Sequence, residues 1–115
     1  MSELPNIRGA HVVAARFGGW PSFHDAEIIR VVIDREGESR VTVRVVFAEQ
    51  KYDVDFIFTD IMDLRLEGGY VNVRNVISGL TVATVEHGVR VEFLPCYGLT
   101  GGITAAKVRA ELTRA

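Results

Sequence analysis

Val41-Thr42-Val43-Arg44-Val45-Val46-Phe47, answered a few residues later by Tyr52-Asp53-Val54-Asp55-Phe56-Ile57-Phe58, is the passage on which the fold turns. Val41, Val43, Val45 and Phe47 alternate with Thr42 and Arg44, and Tyr52, Val54, Phe56 and Phe58 alternate with Asp53 and Asp55. A period of two places one set of side chains on a single face of an extended chain, so each run reads as a strand with one buried face. A loop of two or four residues around Gln50-Lys51 makes the runs a hairpin that pairs Phe47 with Val54, Val45 with Phe56 and Val43 with Phe58. Every apolar residue then lands on the same face, as half-burial demands.

Downstream, the even-numbered row continues through Met62, Leu64 and Leu66, interrupted by Asp60. This predicts a long strand with a bulge or bend near Thr59-Asp60. Gly68-Gly69 closes it, and Tyr70 to Asn75 reads as a loop. Leu80, Val82 and Thr84 lead into His87-Gly88, a two-residue turn in which the glycine accepts positive φ, pairing Val82 with Phe93 and Thr84 with Val91. Cys96 to Gly102 is a glycine-rich connection, and Ala106 to Leu112 alternates as a closing strand. Its alanines leave a helix open there, because alanine favours helix.

Upstream, Asp25 to Asp34 is a strand whose odd row, Ile29, Val31 and Ile33, faces the core, with Ile28 and Val32 half covered on the other side. Ile7, Ala10, Val13, Ala14 and Phe17 mark one face of a short helix, with Asn6 as N-cap and Gly18-Gly19 to end it. The expected fold class is α+β, in a single domain spanning 1–115. One short N-terminal helix precedes a six- to seven-stranded antiparallel meander sheet or partly closed barrel, and covers one face or an open end.

Composition narrows the function classes. The 115 residues carry a net charge of −2, and the basic residues are scattered, with Lys51 and Lys107 the only lysines. Nucleic-acid binding calls for a clustered basic patch, and none is visible. Cys96 is the only cysteine, so no disulfide can form within the chain. No apolar run reaches membrane length, and Met1 to Pro5 lacks a basic stretch leading into an apolar one. The expected location is the cytoplasm, with no membrane contact.

The chemistry is concentrated in Trp20-Pro21-Ser22-Phe23-His24-Asp25-Ala26-Glu27. Trp20, Phe23, His24, Asp25 and Glu27 are candidates for binding a partner. On a strand, Asp25 and Glu27 share the side of Ile29 and Val31, where carboxylates need donors or a rim position. The structural alternative has Asp25 accept backbone N–H groups from the turn at Gly18 to Ser22, while Glu27 pairs with an arginine. Ser22, His24 and Asp25 do not make a triad on a strand, where the residue after the histidine points to the opposite face. His11, His24 and His87 sit on different elements with no metal-ligand spacing, so no metal is expected; no known catalytic signature appears in the chain, and neither cofactor nor catalytic residue is expected. A buried lone cysteine would act as a small hydrophobe.

A second candidate surface is the acidic stretch of Glu49, Asp53, Asp55, Asp60 and Asp63, against Lys51 alone. Asp53, Asp55 and Asp63 either guard a sheet edge or offer a docking surface to a basic partner.

Gly18-Gly19-Trp20-Pro21-Ser22-Phe23-His24-Asp25-Ala26-Glu27-Ile28, with the later Asn75-Val76-Ile77-Ser78-Gly79-Leu80, resembles small bacterial immunity proteins of the immunity protein 50 type. The resemblance implies a non-catalytic cytoplasmic protein that binds and neutralises a cognate toxin domain encoded nearby. The rival reading is a small-molecule-binding or hydrolytic domain with its pocket around Phe23 to Glu27. An open apolar pocket with convergent polar groups would favour that rival.

Overall fold

The structure, a computed structural model, describes residues 4–69 and 73–115. The alternating runs form strands throughout: β1 (Glu27–Val32), β2 (Ser39–Phe47), β3 (Gln50–Glu67), β4 (Asn75–Val85), β5 (Gly88–Tyr97) and β6 (Thr100–Arg114), preceded by helix α1 (Ala10–Phe17). The closing segment is strand, so alanine's helix propensity yields to pairing with β3 and to burial of Val108 and Ala110. Two antiparallel three-stranded meanders, β1-β2-β3 and β4-β5-β6, zip together along β3 and β6 from Tyr52↔Arg114 to Glu67↔Thr100. At the other edge β1 meets β4 only at Glu27↔Val76 and Ile28↔Asn75. The sheet thus closes into a ring, not a regular barrel. Of the loop expected over Tyr70 to Asn75, residues 70–72 lie outside the described residues, and Asn75 already begins β4.

Inside the ring lie Val41, Val43, Val54, Phe56, Phe58, Val91, Phe93 and Ile103, joined by Val13 of α1 and by Phe23. The apolar faces are those the alternation predicts, but both registers slide. Across the first hairpin, Phe47 pairs with Gln50, Val45 with Tyr52, Val43 with Val54 and Val41 with Phe56. The turn is Ala48-Glu49, with φ of 51° and 64°, and not Gln50-Lys51. A two-residue turn with both central residues left-handed matches the twist of its strands. Neither alanine nor glutamate advertises that conformation. The second hairpin pairs Leu80 with Phe93 and Val82 with Val91 around Glu86-His87. His87 carries the positive φ of 67° there, while Gly88 is needed for another reason: a Cβ on it would strike the Ala105 carbonyl and Met62. Both slips move partners by an even number of positions, which keeps each side chain on its face.

Three further expectations are corrected. The odd row of β1 is not the core row: Ile28 is buried, whereas Ile29, Val31 and Ile33 are exposed. Register shifts between Ile28 and Arg30, and beyond Ile28 the strand has no β4 partner, so its end stands at an open edge. The helix starts at Ala10 after a left-handed Gly9, and Asn6 does not cap it. Arg8 is held extended beside β6, bridged to Arg109, with the Ala110 N–H donating to the Arg8 carbonyl at 2.8 Å. The bend in β3 occurs where expected, with Asp60 at φ 57° and a register shift between Ile61 and Asp63. Past it, however, Met62 and Leu64 are exposed. Among the described residues no helix is long and apolar enough to cross a membrane.

Candidate functional site

After α1 ends at a left-handed Gly18, the chain runs along one end of the ring to β1. Phe23 is a core residue, 2% exposed. Its ring meets Trp20 edge-on at 5.5 Å and Phe56 at 5.8 Å, and half-buried Trp20 lies 6.3 Å from Phe56. This aromatic trio anchors the loop. Its backbone is pinned to β4 as well: the Asp25 N–H donates to the Ile77 carbonyl at 3.0 Å, and the Ile77 N–H to the Ala26 carbonyl at 2.9 Å.

The anchoring changes the roles expected of the polar residues. Phe23 and Asp25 have positive φ (60° and 64°), so strand alternation has not yet begun. His24 and Asp25 therefore do meet, with Nδ1 and Oδ2 3.1 Å apart and both side chains largely in solvent. The turn is tied down by the Asp25 backbone, while its carboxylate faces the imidazole. Ser22 Oγ accepts the His24 backbone N–H at 3.2 Å. That is a turn contact and does not align a nucleophile with a base. Glu27 finds its expected arginine, Arg74, at 3.5 Å. Among the described residues no three His, Cys, Asp or Glu side chains could hold a metal ion. Cys96 is exposed and not the small core hydrophobe expected of a buried thiol.

Beside this loop runs an open groove of about 480 Å³ lined by Phe17, Trp20, Pro21, His24, Val45 and Phe47. Phe17 stacks edge-on against Phe47 (5.3 Å) and Tyr52 (5.5 Å), and the Arg16 guanidinium lies 5.6 Å from the centre of the Tyr52 ring. At its rim Val46 and Phe47 are 65% and 42% exposed. In the sequence both read as strand residues, Phe47 on the apolar face. The available signal was Val46, which breaks the alternation by putting an apolar side chain on the polar face beside Arg44.

The acidic stretch does not present free charge where expected. Asp53 and Asp55 share the outer face of β3, but each is matched by an arginine of β2. Arg44 donates to both oxygens of Asp53, at 2.8 and 3.1 Å, and Arg40 donates to Asp55 at 2.8 Å. Asp55 also accepts the Thr42 hydroxyl and is buried. Arg44 lies in register between Glu27 of β1 and Asp53 of β3; it is bonded to Asp53, and Glu27 acts on it through charge alone. The hydrogen bond that Arg44 donates to Asp53 raises the guanidinium's pKa. Asp63 sits 3.5 Å from Arg90, which also donates to Glu92 and Thr104. Arg109 grips Glu38 and Glu111.

The Arg109 hydrogen bond holds the Glu38 carboxyl below its usual value of 4.5. A depressed folded-state pKa stabilises the protein above the unfolded value, and that contribution disappears as pH falls through the folded value. Glu38→Gln should therefore melt below wild type at neutral pH, with the gap closing below pH 4.5. Melting temperatures from pH 7 to 3 check this. A gap unchanged at acid pH would show that the pair does not respond to Glu38 ionisation.

No curated protein and no solved structure matches the chain. A family model, Imm50 (immunity protein 50), matches residues 9–112, which takes in α1, the anchored loop and nearly all of the ring. The chain belongs to the immunity protein 50 family.

Proposed function

We propose that this protein neutralises a toxin by binding it directly in the cytoplasm, without chemistry of its own, and that the aromatic groove at the Trp20 loop is the contact surface. Family membership supports toxin neutralisation. The observation that carries the surface is the exposure of Val46 and Phe47 beside a rigidly anchored aromatic loop. Apolar and aromatic side chains on a preorganised scaffold dominate binding energy at protein interfaces. His24 and Asp25 supply a polar rim, and Glu27 a further charge next to Arg44 and Arg74. Asp53 and Asp55 are occupied by arginines, so they stiffen the sheet more than they attract a partner. A hydrolytic pocket at Phe23 to Glu27 draws less support, since Phe23 is sealed in the core and the His24–Asp25 pair faces solvent.

The test begins with capture of the toxin encoded beside this chain. The wild-type protein should bind it one to one and protect cells, and the toxin should be recovered chemically intact. Val46→Asp combined with Phe47→Ala should weaken capture by roughly a hundredfold, the loss of a hot spot. Folding should be nearly preserved. A toxin released cleaved or modified would overturn the non-catalytic reading, and undiminished capture by the double variant would remove the groove from the interface.

A further inference from the structure

β2 accompanies β3 only from Phe47↔Gln50 to Ser39↔Phe58. Over the stretch from Thr59 to Glu67, β3 keeps β6 on one side, and among the described residues no strand lies along the other. A strand edge of this kind leaves every second residue's N–H and C=O unpaired, a template for another chain. The side chains fit that use. Leu64 pairs with the fully buried Ile103 and so faces the inner side of the ring, yet it is 40% exposed, because nothing continues β2 beside it. Ile33 and Met62 are exposed nearby. A groove of about 500 Å³ runs between this edge and the connection from β1 to β2, lined by Ile33, Asp34, Glu36, Asp60, Ile61 and Leu64 among others.

Charge selects the occupant. Asp34, Glu36 and Asp60 line the groove with Arg35 as the one opposing charge, and among the described residues none of the three acids is in an ion pair. The acids expected to attract a partner, Asp53 and Asp55, are neutralised, whereas these are not. Edge-to-edge pairing of two copies would set acidic rim against acidic rim, and like charges facing across strands are destabilising.

We propose that this edge receives an extended, basic segment of the partner protein, which adds as a strand along Thr59–Glu67. Apolar side chains at alternate positions enter the groove, and lysines or arginines between them meet Asp34, Glu36 and Asp60. Backbone hydrogen bonds supply affinity in such strand addition, and the alternate side chains supply specificity. The inference rests on the reading that the partner is a protein. It concerns the opposite end of β3 from the aromatic groove, so each surface can be tested alone.

The probe is a short labelled peptide of alternating lysine and valine, followed by fluorescence anisotropy at low salt and by amide hydrogen exchange. It should bind and slow exchange within residues 59–67. A glutamate–valine counterpart should bind at least about tenfold more weakly, since like-charge contacts are penalised. The lysine–valine peptide N-methylated at alternate amides on its pairing edge should not bind. Asp60→Asn with Glu36→Gln should weaken binding about fivefold, the worth of two exposed ion pairs. Asparagine tolerates the left-handed conformation at residue 60. Should that pair fail to fold, Glu36→Gln alone, in the exposed connection, carries the comparison. Absence of lysine–valine binding, equal binding of the methylated peptide, or concentration-dependent self-association that protects residues 59–67 would each overturn the proposal. Toxin capture without peptide binding would leave the immunity reading standing and remove the edge; peptide binding without toxin capture would do the reverse.

Discussion

Phe56→Ala should lower the stability of this protein by about 3–5 kcal/mol, and Ile57→Ala, on the opposite face of the same strand, by about 2–5 kcal/mol. Phe56 is fully buried, pairs with Val41 and Ala110, and touches the rings of both Trp20 and Phe23. Its removal opens a cavity and loosens the loop that carries the candidate contact surface. The alternation alone predicts that Ile57 matters much less, because it falls on the polar face, unless the helix or a second sheet covers that side. Yet Ile57 is 1% exposed. It stands in register between Arg40 and Arg109, whose heads are held by Asp55 and by Glu38 and Glu111. Fixing the heads keeps two long aliphatic stems beside the isoleucine on its own face, so the ion pairs are expected to work through packing more than through charge. Urea titration of the two variants checks this. A loss below about 1 kcal/mol at Ile57, far under the usual range for a buried isoleucine, would show that the arginine layer is too loose to count as a second packed face.

That layer also marks the limit of what the sequence could reveal. Which face of β2, β3 and β6 is apolar follows from a period of two and needs no partner to be known. Register does not, because it depends on turns: Ala48 and Glu49 in one and His87 in the other adopt left-handed conformations that their residue types do not signal. The neutralisation of Asp53 and Asp55 was equally hidden. It is set by the pairing of Arg44 with Asp53 and by the diagonal reach of Arg40 to Asp55, and the register expected from the sequence would have set different residues opposite the acids. At the candidate site the octapeptide was legible as unusual, but not its division of labour. Phe23 faces inward, and His24 meets Asp25 only because positive φ at two residues delays the strand until Glu27. The exposed apolar residues, Val46 and Phe47 at one end and Met62 and Leu64 at the other, result from where strands stop. Periodicity within a strand carries no information about that.

The ladder joining β3 to β6 holds the two meanders together, and Gly101→Ala should damage it more than any surface change in the protein. Gly101 lies opposite Leu66 on β3 and Phe93 on β5. Its φ is 132°, a region that L side chains avoid, and a Cβ there would fall inside contact distance of the Arg65 carbonyl and Leu66 Cα. Neither neighbour is a flexible side chain that can swing aside. The backbone strain is worth about 1–3 kcal/mol. Displacing β3 adds to it, so the total should exceed about 4 kcal/mol, a size reserved for substitutions that break a buried structural feature. Gly18→Ala is the matched control: its φ of 74° is also left-handed, but no atom lies within 4 Å of the added Cβ. The control should cost only about 1–2 kcal/mol, the left-handed penalty alone. Similar losses at the two glycines in urea titrations would mean that β6 can shift away from Arg65, and that the meanders are joined more loosely than the continuous pairing implies. A much larger loss at Gly101 would place the rigid seam of the ring at Leu66 and Gly101, directly behind the open edge of β3. An edge held that firmly is already shaped to receive a strand, and a partner binding there would not have to order it first.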